Sequence, residues 1–435
     1  MKRYATWLWM HSAFSRARGY PAAVALHEQR LGFANTTAQP FGLWMSASGD
    51  YANFLPGTKD DETIAYNIAA NQADPVRWMA SSSDLLLGTL SQEFAAFGGG
   101  LGDPITPSNT RIVPQSGEGS NGVQPVRIGT ETVFVNRSGR RIISLGGEAD
   151  TGGYAATDLS ELAEHLTIGG AITRLAWARN PASLLWALRA DGALLSLTYR
   201  REQQLYGWAR HDMGGTVESI AVIPVAGSAQ DELWLVVRRS IGGRLRRFIE
   251  IMAASFEPVD AQDKAAMPFL DASLRYDGTP VSSVTGLAHL EGATVDVILD
   301  GALHPQRVVT AGAITLERPG SNVCVGLGYE STLRSLRLDT VPLGFVQDRT
   351  RRVVRTTLRV LNTLGGEAGT GERLDELVRR DQADPMDASP PLFSGDIDVT
   401  PSSVHGTSPR IIVRQREPLP MEILSVTSVM ALGDA

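Results

Sequence analysis

The sequence predicts a mainly β protein, in which a β-propeller-like repeat domain precedes a smaller β-barrel or sandwich domain and a mixed C-terminal segment. Short alternating apolar segments, separated by Gly, Pro, Asn, Asp and Ser, run through the 435 residues. This punctuation, with 44 Gly and 23 Pro spread along the chain, is typical of many short strands joined by turns. One apolar pattern also recurs about every 50 residues, as expected of stacked four-stranded sheets.

The clearest repeat unit runs from Ile172 to Asp212. Alternating apolar residues mark four strands, and Asp191-Gly192 predicts a tight hairpin turn because glycine tolerates a positive φ. Four antiparallel strands in about 40 residues match the size of one propeller blade. The strands are marked by Leu175 and Trp177, by Leu184, Trp186 and Leu188, by Leu195, Leu197 and Tyr199, and by Tyr206 and Trp208.

The second strand of this unit has counterparts about 50 residues apart in the first part of the chain. Because one four-stranded sheet cannot bury both faces alone, successive sheets of such a repeat stack face to face around an axis. A β-sandwich or barrel, whose strands also recur regularly, is the alternative. The five candidate second strands are Leu31-Gly32-Phe33, Leu85-Leu86-Leu87, Thr132-Val133-Phe134-Val135, the segment around Trp186, and Leu233-Trp234-Leu235-Val236-Val237.

The pattern changes twice. A short helix is predicted between two blades, with Ser160 as its cap and Leu162 and Leu166 on one face. After Met252 the repeat stops, and shorter strands follow a proline-containing linker. The predicted domains are an N-terminal segment 1–17, a propeller-like domain 18–252, a linker 253–268, a small β-barrel or sandwich 269–340, and a mixed C-terminal region 341–435 that packs back on the other domains or joins the barrel.

Within the last two domains the sequence predicts individual elements. A strand over 294–299 is followed by a turn at Asp300-Gly301, and further short strands lie at 308–309, 314–316 and 323–325. The C-terminal region is expected to contain a strand or helix at 352–361, a short helix at 373–380, and strands at 410–415 and 422–426.

Composition bounds the function. A formal net charge of -7 and a pI near 5.6 argue against a general nucleic-acid coat, but are compatible with a conduit through which DNA slides. The single cysteine, Cys324, excludes a disulfide or a cysteine-based metal site within one chain, and its alternating context predicts a small buried strand residue. The sequence contains no run of 18 apolar residues, so no transmembrane helix is predicted. The apolar stretch near the N-terminus is too short and too polar for the hydrophobic region of a signal peptide, so synthesis in the cytoplasm is expected.

Two charged clusters are candidate chemical sites. Asp60-Asp61-Glu62 could hold a divalent cation, but it lacks EF-hand spacing, and solvated loop acids are the favoured interpretation. His27-Glu28-Gln29-Arg30 places an acid, a base and a guanidinium together. On a strand, neighbouring side chains point to opposite faces, so His27 and Glu28 are not expected to cooperate and a structural role is favoured. The zinc pattern His-Glu-x-x-His is absent.

The remaining features give no catalytic assignment. The glycine run Gly98-Gly99-Gly100-Leu101-Gly102 lacks the Lys-Ser/Thr of a phosphate-binding loop, and the Gly-x-Ser-x-Gly pattern is absent. Packing between sheets is favoured over sugar binding for the tryptophans of the repeat region, which include Trp44, Trp78, Trp177, Trp186, Trp208 and Trp234. The sequence therefore predicts no catalytic, cofactor-binding or metal-binding residue, and a protein that is not an enzyme.

A set of motifs in fixed order resembles the tail nozzle (tail hub, or tail tubular protein B) family of short-tailed bacteriophages. The similarity covers most of the chain, and the shared order carries more weight than any one motif. The motifs are Arg18-Gly19-Tyr20-Pro21-Ala22-Ala23-Val24, His27-Glu28-Gln29-Arg30-Leu31, Trp44, Ser48-Gly49-Asp50-Tyr51-Ala52-Asn53-Phe54, Arg111-Ile112-Val113-Pro114-Gln115-Ser116, Val123-Gln124-Pro125, the segments 158–166 and 191–203, Leu290-Glu291-Gly292, Asp300-Gly301, His304-Pro305 and Pro418-Leu419-Pro420.

The resemblance implies a structural virion protein of the tail, made in the host cytoplasm. About six copies would form a homohexameric ring below the portal and adaptor proteins, enclosing the channel for genome ejection. Double-stranded DNA would pass through transiently without sequence-specific binding, and tail fibres or spikes would dock on the ring. The chain itself would not insert into a membrane, and no cofactor is implied.

One feature departs from the family. Its members are usually longer before the Arg-Gly-Tyr-Pro region, where this chain has only 17 residues. A compact member is expected, or one whose platform segment comes from another polypeptide. The residues are also compatible with two other functions. One is a propeller-type glycan-binding or glycan-cleaving tail protein, which needs paired carboxylates in an aromatic cleft. The other is a scaffold propeller that binds a cellular partner.

Overall fold

The structure is a computed structural model that describes residues 12–68, 74–99, 103–148, 152–260, 263–264, 267–337, 340–341, 344–345, 350–371, 373–377, 384, 388–401 and 406–433. The chain divides into two compact units, each formed from two segments. The first unit comprises Met1–His211 and Thr216–Val236, and the second comprises Asp212–Gly215 and Val237–Ala435.

Within its described residues, the first unit contains four four-stranded antiparallel sheets, each built from four consecutive strands. The first sheet consists of β1 (Ala23–His27), β2 (Arg30–Ala34), β3 (Gly42–Met45) and β4 (Ile64–Asn67). The second consists of β5 (Val76–Ser81), β6 (Leu85–Thr89), β7 (Glu93–Phe97) and β8 (Arg111–Ser116). The third consists of β9 (Val126–Ile128), β10 (Glu131–Val135), β11 (Ile142–Gly147) and β12 (Tyr154–Asp158). The fourth consists of β13 (Ile172–Ala178), β14 (Leu184–Arg189), β15 (Leu194–Arg200) and β16 (Leu205–His211).

A fifth sheet has three strands in the order β17 (Thr216–Ile223), β18 (Glu232–Ile241) and β19 (Arg244–Ile251). The division between the two units falls within β18. All five candidate second strands from the sequence lie in the second strand of their sheet, in β2, β6, β10, β14 and β18. The predicted propeller-like repeat of small antiparallel sheets is therefore confirmed.

Stacking of the sheets explains why the repeat has this length. One core cluster joins the first and second sheets through residues such as Leu43 and Leu87. A second cluster packs Trp78 of the second sheet against Phe134 of the third, with ring centroids 5.3 Å apart. A third joins the third and fourth sheets. The second and third sheets bury apolar residues on both faces, which is why their strands include short, nearly continuous apolar runs.

The second unit contains sheets of other orders. Among the described residues, the orders are β20-β23-β21-β22, β24-β31-β28-β29, β25-β26 and β30-β27-β32. The strands are β20 (Asp271–Thr285), β21 (Thr294–Leu299), β22 (Ala302–Val308), β23 (Ala313–Leu327), β24 (Ser331–Arg334), β25 (Thr340–Val341), β26 (Gly344–Phe345), β27 (Arg351–Thr363), β28 (Glu367–Thr370), β29 (Arg373–Glu376), β30 (Phe393–Val399), β31 (Ile411–Gln415) and β32 (Glu422–Leu432).

The predicted strand over 294–299 and its turn are present. Asp300 and Gly301 both have positive φ, at 51° and 75°, as a tight two-residue hairpin between β21 and β22 requires. The two short segments predicted at 314–316 and 323–325 belong to one 15-residue strand, β23, which is bulged against β20. The segment 352–361, for which strand and helix were both open, lies in strand β27.

Two helix predictions are wrong or only partly right. The segment over 158–166 forms a 3-10 turn (Glu161–Ala163) and a single α-helical turn, α1 (Glu164–Thr167). Ser160 makes no cap; its hydroxyl accepts the Ile142 N–H and donates to Asp158 instead. The side chain of Leu162 is 97% exposed, because so short a turn has no continuous apolar face.

The second error concerns the helix predicted over 373–380. Residues 373–376 form strand β29, paired with β28, while 378–380 lie outside the described residues. The hydrogen bonds between β29 and β28 override the local preference for a helix, which the spacing of Leu374 and Leu377 would suit. Tertiary contacts often override helix propensity in short segments. Two further 3-10 turns, at Arg201–Gln203 and Ala288–Leu290, complete the described helical structure.

Candidate functional site

Two of the motifs noted in the sequence meet at a site in the first sheet. The segment His27–Arg30 forms a hairpin turn between β1 and β2, with Glu28 and Gln29 at positive φ of 46° and 59°. The expectation of a strand holds for His27 and Arg30, which end β1 and begin β2, and is wrong for Glu28 and Gln29, which form the turn. The loop from Ser46 to Glu62, which contains the Ser48–Phe54 motif, packs on this hairpin: the Gly49 N–H donates to the Gln29 carbonyl at 2.9 Å.

Arg30 fixes this loop. Its side chain is 3% exposed and donates to three backbone carbonyls: Ser46 at 2.8 Å, Asp60 at 2.6 Å and Glu62 at 2.6 Å. Burial lowers the pKa of the guanidinium, although Glu28 and Asp61 oppose this shift. A planar fork of donors suits this task better than a lysine ammonium does. Arg30 thus closes both ends of the loop, a role that sequence spacing alone did not show.

Aromatic rings hold the middle of the loop. Phe54 stacks on Phe33 of β2 with centroids 5.5 Å apart, and Phe14 meets both Phe33 and Trp44 edge to face. The two large apolar side chains in the loop that stay exposed are Tyr51, at 49%, and Leu55, at 77%. The result is a rigidly anchored surface loop, which is suited to contacting another macromolecule.

The acidic cluster lies in this loop. Asp60 and Asp61 are exposed, and Glu62 accepts backbone N–H groups of Thr58 and Lys59, which lower the pKa of its carboxyl. Within the described part of the chain, no three His, Cys, Asp or Glu side chains are grouped as metal ligands would be. The carboxylate of Glu62 therefore stabilises the backbone turn that contains Thr58 and Lys59.

His27 belongs to a buried polar network. Its Nδ1 lies 2.9 Å from the Ser81 hydroxyl, and burial lowers the pKa of the imidazole despite the nearby Glu28 and Asp84. The Tyr154 hydroxyl donates to Asp84 at 2.8 Å. Strands from the first, second and third sheets are thereby connected. These contacts give His27 a structural setting, and sequence reasoning missed Asp84 and Tyr154 because their partners are 70 residues apart.

Two buried glutamates, in the second and third sheets, accept hydrogen bonds from the hydroxyl groups of distant residues. Glu93 in β7 is fully buried and accepts the hydroxyl of Ser120 at 2.7 Å as well as that of Ser116. Burial raises the pKa of its carboxyl against these hydrogen bonds. Glu131 in β10 accepts the Tyr199 hydroxyl of the fourth sheet at 2.5 Å.

A second site, in the second unit, brings two carboxyl groups to one arginine. Arg239 is 1% exposed and donates twice to Glu250, at 2.8 and 2.7 Å, while Asp271 lies 3.7 Å from its Nη2. Burial raises the pKa of Asp271 to about 6, opposed by Arg239 and reinforced by Glu250 and Asp212. Paired carboxyls in different environments are an arrangement found in glycoside hydrolases. Sequence reasoning had assigned no such pair.

The remaining candidates have structural settings. Trp78 and Trp186 are buried between strands, at 1% and 3% exposure, whereas the other tryptophans of the repeat region are half-buried. Cys324 is buried in β23, as expected, and burial raises the pKa of its thiol. In the glycine run, the Gly98 N–H donates to the Asp103 carbonyl, while Gly100, Leu101 and Gly102 lie outside the described residues.

Neither a family model nor a curated protein matches the chain. Solved structures that resemble it include an exo-β-1,3-galactanase from Phanerochaete chrysosporium, at 8% identity and a TM-score of 0.29, with 97% of this chain and 98% of that chain covered. A protein from Lactobacillus plantarum shares 10% identity at a TM-score of 0.34, covering 71% and 88%. The β-propeller domain of Cps50 (Swd1) from Myceliophteria thermophila shares 11% at a TM-score of 0.28, covering 55% and 74%.

These likenesses correct one prediction. The sequence was taken to exclude an enzyme, and that exclusion is wrong, because glycoside hydrolases are among the structures that resemble the chain. TM-scores of 0.26 to 0.34 are too low for any of these likenesses to assign a reaction. Among the residues that the structure describes, no helix has the length and apolar character needed to cross a membrane.

Proposed function

We propose that this chain is a tail nozzle subunit of a short-tailed bacteriophage. About six copies form a ring in the virion tail, below the portal and adaptor proteins. Fibres or spikes dock on the ring, and double-stranded DNA passes through its channel without sequence-specific binding. The net charge of -7 is compatible with DNA that must slide rather than adhere.

One observation carries this proposal. Two of the motifs that resemble the nozzle family, His27–Leu31 and Ser48–Phe54, are parts of one anchored structure, in which Arg30 of the first binds carbonyls at both ends of the loop that holds the second. A buried arginine with three carbonyl partners is a specific arrangement, so residues on both sides of it are constrained together. The spacing of these two motifs thus has a physical basis in this chain, and this supports the proposal.

Negative-stain images of the purified chain test the proposal. Ring-shaped particles with an axial opening are the expected result. Particles of single-chain size at every protein concentration, with no rings, would count against a nozzle.

A second candidate is a glycan-cleaving tail protein, and the pair formed by Glu250 and Asp271 favours it. Asp271, with a pKa of about 6, suits a general acid, and Glu250 lies on the same arginine. Release of reducing sugars from bacterial surface polysaccharides would support this candidate, provided that Asp271→Asn abolishes the release. Asp277→Asn in the same strand is the matched control. Release that survives Asp271→Asn would exclude this pair as the catalytic site.

A further inference from the structure

Strand β19 carries an exposed apolar row on the edge of its sheet. Leu245, Ile249 and Ile251 are 71%, 73% and 48% exposed. Because alternate residues of a strand share a face, these three side chains lie on one side of β19 together with Arg247. An edge strand with exposed apolar side chains is suited to contact with another chain.

The same strand is basic. Arg247 is exposed on the same face as the apolar row, Arg244 and Arg246 are exposed on the opposite face, and the one acidic residue of the strand, Glu250, is bound to Arg239. We call the exposed residues of Arg244–Ile251, which flank this edge of the sheet on both faces of β19, the β19 patch. It combines apolar area with positive charge.

A second exposed apolar area lies on the first sheet. Val24 and Leu26 of β1 are 54% and 61% exposed. Val24 is opposite Phe33 in the β1–β2 register, and Phe54 of the anchored loop stacks on Phe33. The loop, with its exposed Leu55, therefore covers the same face of the sheet as Val24.

This second area is acidic. Asp50, Asp60 and Asp61 are exposed in the loop, which contains four acidic residues and one lysine in all. We call Val24, Leu26 and the exposed residues of 46–62 the loop patch. Its charge and apolar content complement those of the β19 patch.

We propose that the loop patch of one copy docks on the β19 patch of a second copy of this chain. The two patches are different surfaces, so the contact is heterologous, and its repetition generates a closed ring or a filament. Opposite charges on the two patches steer the copies together, and the apolar residues supply the area removed from water. The inference deepens the proposed function by assigning the surfaces through which ring subunits meet.

Charge reversal on each patch tests this contact. The first variant carries Arg244→Glu and Arg246→Glu, and the second carries Asp60→Arg and Asp61→Arg. Each alone juxtaposes like charges, so sedimentation velocity should show self-association weakened at least tenfold. Mixing the two variants restores opposite charges at every contact, and wild-type assembly should return. The matched control reverses two exposed strand arginines of the fourth sheet, Arg174→Glu and Arg210→Glu, and should assemble normally.

Each outcome bears on a different claim. Circular dichroism confirms that each variant is folded before its mass is measured. Rings that persist in both variants, or variants that dissociate but are not restored by mixing, overturn the assigned surfaces and leave a nozzle standing. Wild-type filaments without rings that respond to the charge reversals support the surfaces and count against a nozzle. A monomeric wild-type chain overturns both.

Discussion

The most informative stability test replaces Asp271 by asparagine. Asp271 lies beside Arg239 and Glu250 at the start of β20, and burial raises its pKa from 3.8 to about 6. A carboxyl whose pKa is higher in the folded state binds a proton more tightly there than in the unfolded chain. Folding is therefore favoured below pH 4, and this contribution is lost as the pH rises through 6.

The magnitude follows from the shift. The pKa of Asp271 is about 2 units higher in the folded state. At about 1.4 kcal/mol per pKa unit, this shift corresponds to about 3 kcal/mol of stability lost between pH 4 and pH 7. Asparagine has nearly the same shape and cannot ionise. At pH 7.5 we expect Asp271→Asn to stabilise the second unit by up to about 3 kcal/mol, while at pH 4 the two proteins should be nearly equal.

Native-state hydrogen exchange of the amides in β20 and β23, followed in urea at pH 4 and 7.5, measures this difference. Asp277→Asn is the control, because Asp277 lies in the same strand with its side chain 71% exposed, and it should change stability by less than about 0.5 kcal/mol. Destabilisation by Asp271→Asn at pH 7.5 would refute the reasoning, since it would mean that attraction to Arg239 outweighs the cost of burying the charge.

Three further changes test the packing of the first unit. Arg30→Lys should loosen the loop at 46–62 and expose it to limited proteolysis, because one ammonium cannot reach all three carbonyls; unchanged cleavage would contradict its anchoring role. Phe134→Ala should cost about 3–5 kcal/mol in urea unfolding, whereas the exposed Leu162→Ala should cost less than about 0.5 kcal/mol. Glu93→Gln should be tolerated better at pH 7 than Glu93→Ala, since the raised pKa of Glu93 shows that its charge is costly there; equal losses would contradict this.

The repeat could be predicted because each of its sheets produces a local sequence pattern of short apolar segments separated by turn residues. The second strands of the second and third sheets, such as Leu85-Leu86-Leu87, are short runs buried on both faces, and this burial favours apolar residues at successive positions. Turns such as Asp300-Gly301 were equally visible, since their positive φ restricts the residues that fit.

The sites could not be predicted, because their contacts are distant in sequence. Arg30 reaches carbonyls up to 32 residues away, and carbonyl groups leave no signature in the sequence. Asp271 acquires its raised pKa from burial beside Arg239 and Glu250, which no spacing rule connects. The helix at 158–166 failed for a related reason: the Ser160 hydroxyl is taken by Ile142, a strand residue of the third sheet.

The mass of the purified chain in solution tests the central claim most directly. The subunit mass is 46.7 kDa, and the account predicts a concentration-dependent assembly of about six subunits that weakens as salt screens the opposed charges. A single species of subunit mass at every concentration and salt level would contradict it.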